Sequence, residues 1–199
     1  MPDYEKLRKN LEQEDFRTSF FPTAAEAMAY LDGALDGVTI GFGGSQTVRD
    51  MGLFEALSAH NTCIWHWDKE KNVQPKEATD AQVYICSVNG LSENGEVVNI
   101  DGAGNRVAST LFGHEKVYLI VGKNKIAPDY ETALWRARNV AAPLNARRLA
   151  KKTPCAVGEL KCHNCTSPDR ICAALVVFWE KPSLSGEIEV VLIDEDLGF

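Results

Sequence analysis

The sequence contains no apolar run approaching the roughly 18 residues that a membrane span requires. Its opening segment, MPDYEKLRKNLEQEDF, is charged throughout and offers no apolar stretch of the kind a signal peptide carries. These two absences predict a chain that stays in the cytoplasm and does not enter a bilayer. Basic residues are in the minority, with 21 Lys and Arg against 28 Asp and Glu, a formal net charge of −7 and a pI near 5.2. Such a surface repels phosphate backbones and argues against nucleic acid as a partner. No internal repeat, low-complexity tract or long flexible linker divides the chain. With 199 residues, 45% of them hydrophobic, it is long enough for one substantial core, and a single domain over residues 1–199 is expected.

The elements that are present alternate. Tyr4, Leu7 and Leu11 stand at helical spacing among charges, which predicts an amphipathic helix to about Glu14. FRTSFFP reads as a strand stopped by Pro22. Thr23 and Glu26 form a T-x-x-E capping pattern before a helix carrying Met28, Leu31 and Leu35. GVTIGFGG, TCIWHW, AQVYICSV and KVYLIVG are apolar runs of strand length. TVRDMGLFEALSAH is helical in pattern, and so is DYETALWRARNVAAPLNARRLAKK, which Pro143 should split near Ala142. ALVVFWEKP and EIEVVLIDEDLGF close the chain as two strands joined through PSLSG, which suggests a hairpin. The expected fold is α/β: a mostly parallel central sheet flanked by helices, with a C-terminal strand pair. Ligands of such sheets sit at the strands' carboxyl ends, here the loops after Ile40, Val88 and Val121.

Two of those loops carry chemistry. GFGGSQT, Gly41 to Thr47, lies between a strand and a helix. Gly41, Gly43 and Gly44 allow close approach to a ligand, and Ser45 and Thr47 supply hydroxyls for a cap or an anion. The loop is neither a Walker A sequence nor G-x-G-x-x-G, since Gln46 stands where a third glycine would be. A capped strand-to-helix turn explains it equally well. The second stretch, NGLSENGEVVNIDGAGNRVAS, sets Glu93, Asn99, Asp101, Asn105 and Arg106 among glycines. It reads either as a hairpin with two polar turns or as turns lining the same cleft. Lys123, in GKNKI, is placed to neutralise an anionic substrate at a third strand end, and Lys125 follows it; both also suit an ordinary solvated surface. His66, flanked by Trp65 and Trp67, reads as a histidine satisfied between aromatics, and His114 as a turn residue. Arg136, Arg138, Arg147 and Arg148 read mainly as a solvated helix face. Leu134, Trp135, Val140 and Leu144 on the same helix suggest a homodimer surface. Cys63 and Cys86 fall in strands and are expected in the core.

The other four cysteines cluster in PCAVGELKCHNCTSPDRIC, residues 154–172, as C-x6-C-x2-C-x6-C: Cys155, Cys162, Cys165 and Cys172. Four thiols suit a soft metal, zinc or an iron–sulfur cluster, with His163 as an alternative ligand. The outer gaps are longer than those of usual zinc knuckles, and the ferredoxin spacing C-x2-C-x2-C-x3-C is missing. A redox pair at Cys162 and Cys165, or unreactive thiols, remain open alternatives.

Taken together, IGFGGSQTVRDMGLFEAL, ENGEVVNIDGAGNRVAS, VYLIVGKNKIAPDYETALWRARNVAAP and the cysteine segment resemble the LUD (lactate-utilisation) domain family, in order and over roughly residues 15 to 175. The resemblance implies a fold similar to the group of ribose-5-phosphate isomerase, glucosamine-phosphate deaminase and CoA transferase, whose members bind anionic ligands at glycine loops after strands. It maps Gly41, Gly43, Gly44, Ser45 and Thr47 onto the first loop, and Glu93, Gly95, Asn99, Asp101, Gly102, Asn105 and Arg106 onto the polar stretch. It further implies organic-acid (lactate-like) utilisation, a small anionic metabolite as ligand and an iron–sulfur protein as partner. The alternative is a non-catalytic subunit, or a sensor whose thiols report metal or redox state.

Overall fold

The computed structural model describes residues 2–68 and 70–199. In chain order its elements are helix α1 (Tyr4–Gln13), strand β1 (Arg17–Phe21), α2 (Ala24–Ala34), β2 (Thr39–Phe42), α3 (Gln46–Asp50), α4 (Leu53–Leu57) and β3 (Thr62–Trp65). There follow β4 (Val83–Ser87), β5 (Gly90–Ser92), β6 (Val97–Asp101), α5 (Asn105–Leu111), β7 (Lys116–Gly122) and β8 (Ile126–Ala127). The last are α6 (Tyr130–Arg136), α7 (Ala142–Arg148), α8 (Pro154–Val157), β9 (Ala174–Phe178) and β10 (Glu187–Ile193).

Six strands form one parallel sheet in the order β1-β10-β7-β4-β2-β3. Side chains of successive strand residues point to opposite faces, so the apolar runs of the central strands feed two cores. Val117, Leu119 and Val121 of β7, with Ile188, Val190 and Leu192 of β10, pack against Leu7 and Leu11 of α1. Tyr118 and Ile120, with Val191 and Ile193, pack on the other face with Leu31 of α2, Val48 of α3 and Leu53 and Leu57 of α4. Burial on both faces is why these strands read as continuous apolar stretches instead of alternating ones. The helix starts follow the cap chemistry. Asp3 accepts from Lys6 N, and Thr23 Oγ1 accepts from Glu26 N at 3.2 Å.

A second, mixed sheet runs β8-β5-β6-β9, with β5–β6 and β6–β9 antiparallel and β5–β8 parallel. It corrects the expected terminal hairpin. β9 pairs with β6, Val97 opposite Phe178 and Asp101 opposite Ala174, while β10 enters the large sheet between β1 and β7. The reason is burial. Six of the seven residues of β10 are buried, which demands a strand on each side, whereas Ala174 and Leu175 of β9 are exposed and suit an edge.

Three other local features depart from the sequence reading. The stretch from Gln46 to Leu57 is two short helices that break at Gly52. DGAGN does not close a hairpin but leads from β6 into α5. The long helix does split where Pro143 stands, and it does so through a π-helical turn at Ala137–Ala141, ahead of α7. No helix among the described residues is long and apolar enough to cross a membrane.

Candidate functional site

The carboxyl ends of β2, β4 and β7 open on a cavity of about 350 Å³. Its wall is contributed by the loop after β2 (Gly44, Ser45, Gln46), the β3 exit (His66, Trp67), the β4 end (Ser87, Asn89), the β6–α5 turn (Asp101 to Arg106), Lys125, α7 (Asn145, Arg148) and the cysteine segment (Arg170, Ile171). Ser45 and Asp101 therefore share one hollow.

Its foundation is a buried polar network. Asp101 Oδ1 accepts from Ala103 N (3.0 Å) and Gly104 N (2.9 Å), and Oδ2 accepts from Val107 N (3.2 Å), so the carboxylate is occupied in starting α5. Arg106 is 9% exposed. Its Nη1 donates to Ser87 O (2.9 Å) and Asn99 Oδ1 (2.5 Å), and its Nη2 donates to Asn89 Oδ1 (3.0 Å) and Ile100 O (2.8 Å). All four Nη protons are thereby spent on tying β4 to β6. Arg106 brings positive charge to the cleft but no free Nη proton. Gly43 lies behind it, where a Cβ would meet Tyr84 Oη at 2.8 Å, Cys86 Cβ at 2.9 Å and Arg106 Cγ at 3.0 Å.

Lys125 is the unusual group. It is 3% exposed, and its Nζ donates to Thr47 Oγ1 and Ser87 Oγ, each at 2.7 Å. Among the described residues no carboxylate stands within ion-pair distance of it. Burial, reinforced by the Arg136 and Arg106 charges, pushes its ammonium down to about 7. His66 is likewise driven towards the neutral form by burial, against the raising influence of Asp101, and its Nδ1 is buried without a hydrogen-bond partner among the described residues. The guanidinium of Arg148 lies 4.5 Å from the centre of the Trp67 ring, held there by Nε and Nη2 bonds to Asn145 Oδ1 at 3.1 and 2.7 Å.

The expected site residues divide accordingly. Gly44, Ser45, Asp101, Asn105 and Arg106 line the cavity. Thr47 and Asn99 are fully buried beneath it, as partners of Lys125 and Arg106. Gly41 and Gly43 pack at the β2 end behind the wall. Glu93 is elsewhere, accepting from Asp3 N at 3.0 Å and facing Lys6 at 3.6 Å. Lys123 pairs with Asp194 at 3.5 Å, and the lysine that reaches the cleft is Lys125, two residues on.

Of the arginines of the long helical segment, Arg138 and Arg147 are exposed, while Arg136 and Arg148 are half-buried and are not part of a solvated face. Arg136 donates to Asn124 O (2.5 Å) and Asn89 O (2.6 Å), Arg147 holds the carbonyls of Ala156 and Gly158, and Arg148 enters the cleft. His66 is not satisfied between its neighbours. Trp65 and Trp67 stack on each other at 5.4 Å, and His66 meets Trp67 only edge-on. The sequence signal for these residues was thin. Arg148 lies some hundred residues from Ser45 in the chain, and only the fold joins them.

The four clustered thiols line a second cavity of about 240 Å³ with Arg138, His163 and Arg170. All four are free and half-buried. Cys155 Sγ meets Thr153 Oγ1 at 3.2 Å, Cys162 Sγ accepts from Asn164 N at 3.4 Å, and Cys172 Sγ accepts from Arg170 Nε at 3.2 Å. Among the described residues no three His, Cys, Asp or Glu side chains are grouped to hold a metal ion. The thiols share a cavity without forming a ready-made tetrahedral cage. Cys86 is in the core as expected, its thiol pushed up to about 11 by burial.

A family model described as the LUD domain matches residues 4–193. The chain belongs to the LUD domain family. A DUF162 family protein from Deinococcus radiodurans has a similar solved structure. It aligns with 95% of this LUD domain and 94% of its own chain, at a TM-score of 0.55 and 10% identity, a likeness that speaks to the fold alone. No curated protein matches the chain. The expected α/β architecture, a parallel sheet flanked by helices, is the one this LUD domain adopts.

Proposed function

We propose that this LUD domain binds a small organic anion, of the hydroxy- or oxo-carboxylate kind, in the cleft at the ends of β2, β4 and β7, and serves organic-acid metabolism in the cytoplasm. One observation carries the reading. Arg106, Arg148 and Arg170 line the cavity, and the one acidic side chain among its lining residues, Asp101, is already committed to three backbone N–H groups. In a chain of net charge −7, that local excess of cations is a charge trap for a compact anion. Ser45, Asn89 and Asn145 supply polar groups around it.

A thermal-shift titration with lactate, pyruvate, oxalate, phosphate and a CoA ester tests the reading, because a ligand of the native state raises the melting temperature by mass action. A small carboxylate is expected to raise it, and Arg148→Ala to abolish the rise while the protein stays folded. Absence of any shift with all five anions sinks the proposal.

A second reading is favoured by a specific contact. Arg170, Ile171 and Ile100 line both cavities, so the thiol segment forms part of the cleft wall. On this reading the protein is a non-catalytic subunit or sensor. Zinc, an iron–sulfur cluster or a disulfide among Cys155, Cys162, Cys165 and Cys172 would then shift that wall, and an iron–sulfur protein would be the partner. Anaerobic purification with elemental analysis, visible absorbance and thiol titration tests it. A metal-free, colourless protein with freely titrating thiols, whose anion affinity is indifferent to oxidation, removes it. Exposed Trp135 and Trp179 are the apolar groups we propose for a homodimer contact, to be checked by light scattering.

A further inference from the structure

We propose that Lys125 is a nucleophilic amine that condenses with the carbonyl of a small 2-oxo acid to form an imine on the enzyme. The inference rests on the cleft being an anion site and names a reaction for it.

The argument is stereochemical. Lys125 Nζ has two near neighbours, Thr47 Oγ1 and Ser87 Oγ, each at 2.7 Å. Each hydroxyl has a single proton, and each gives it to a backbone carbonyl: Thr47 to Leu197 O (3.3 Å) and Ser87 to Ile120 O (2.5 Å). Both hydroxyls can therefore only accept from the amine. A neutral –NH₂ has two protons to give, and the two hydroxyls take both. What remains at nitrogen is its lone pair, in a position that neither hydroxyl occupies, on a side chain that lines the cavity. An ammonium in the same place would carry a third N–H and a full charge, 3% exposed, with Arg136 and Arg106 as the stronger nearby charges and Cys86 and Asp50 as weaker opposing influences. Burial and like charge both favour the neutral amine, the form that attacks carbonyls.

The cleft also selects the electrophile. Its cations suit a carboxylate, while the amine needs a carbonyl carbon close to that carboxylate. A 2-oxo acid supplies both on adjacent carbons. The Nζ lone pair adds to the carbonyl carbon, and a proton passes from nitrogen to the former carbonyl oxygen to give the carbinolamine. The second amine proton and the hydroxyl then leave as water, and the C=N bond forms. No oxidant, reductant or metal enters the balance. His66, held neutral in the same wall, is placed among the groups able to relay those protons.

The test uses the full chain with pyruvate as probe, sodium borohydride to reduce any imine to a stable secondary amine, and peptide mass spectrometry to find it. Reductive trapping at Lys125, suppressed by excess oxalate and lost in Lys125→Arg and Lys125→Met, is the expected result. The yield should rise with pH through about 7, well below the range of an ordinary lysine. A melting-temperature rise with pyruvate but no adduct overturns the imine and leaves the anion site standing. Adducts spread over surface lysines, or equal trapping in Lys125→Arg, also overturn it. Neither adduct nor thermal shift removes both readings. Circular dichroism of the two variants shows whether loss of trapping comes with an intact fold.

Discussion

The two cavities of this LUD domain meet at Ile171 yet are built on opposite plans. The cleft at the strand ends is floored by a hydrogen-bond network in which Arg106, Asp101, Asn99, Ser87 and Thr47 are each 9% exposed or less and each bonded, with Asn99 Nδ2 left without a partner among the described residues. The thiol cavity is walled in good part by irregular chain between α8 and β9, with half-buried sulfurs of which Cys155, Cys162 and Cys172 keep a local partner. A network of the first kind holds charges in place before a ligand arrives, and so spends little of the binding energy on ordering. Chain of the second kind has to be organised by whatever binds it. The contrast teaches that charge draws a ligand in, while the donors still unspent decide what can hold it in place.

Breaking the network should have the largest effect. Arg106→Met leaves Asn99 Oδ1 without its donor and takes one donor each from Ser87 O, Ile100 O and Asn89 Oδ1, the last of which keeps Ile100 N, and a loss of about 3–5 kcal/mol is expected in urea unfolding. A loss below about 1 kcal/mol would show that the network is not what holds the cleft together.

Lys125→Met should act in the other direction and with pH. The lysine's pKa is lower in the folded protein than in the unfolded chain, about 7 against 10.5, so the unfolded state binds more protons between those values. Wild-type stability must then rise with pH across that window, and the cost of burying the charge is fully present below about 7. The methionine variant should melt higher than wild type at pH 6, by an amount on the order of 2–4 kcal/mol, with the advantage fading towards pH 10. An advantage that does not change with pH would show that the amine is not the cause.

A matched pair of glycine variants compares the two plans directly. Gly43→Ala drives a Cβ into Tyr84, Cys86 and Arg106, which are fixed, whereas Gly102→Ala drives one to 2.8 Å from Ile171 O, on chain that is irregular and partly exposed. About 1–3 kcal/mol is expected for the first and less for the second, read from denaturant midpoints. Equal losses would mean that the thiol segment is as rigid as the network. Cys165→Ser is the smallest change, expected to fall within about 0.5 kcal/mol in metal-free protein. A larger loss on thermal unfolding would reveal a bound group or a hidden packing role.

The helices and strands were readable because period and caps are local. Thr23 with Glu26, and the two-faced apolar runs of β4, β7 and β10, announce themselves within a few residues. The cleft was half readable. Gly44, Ser45, Asp101, Asn105 and Arg106 stand in turn-forming stretches whose composition marks them. Lys125 was indistinguishable from Lys123 in GKNKI, because only the tertiary packing around the β7 exit buries one and leaves the other paired with Asp194. Arg148 and Trp67 meet by a contact across 81 positions of sequence, which no window detects. Adjacency in sequence suggests a terminal hairpin, but a fully buried strand demands two neighbours, and β10 finds them in β1 and β7.

That last strand carries a kinetic consequence. β1 has a single partner in its sheet, β10, so Arg17 waits for Glu189 and Phe21 for Ile193. On an emerging nascent chain the N-terminal strand must therefore remain unpaired while more than a hundred and fifty residues follow it out of the ribosome. Refolding from denaturant should accordingly show the β7–β4–β2 region protected from hydrogen exchange first and the β1 amides last.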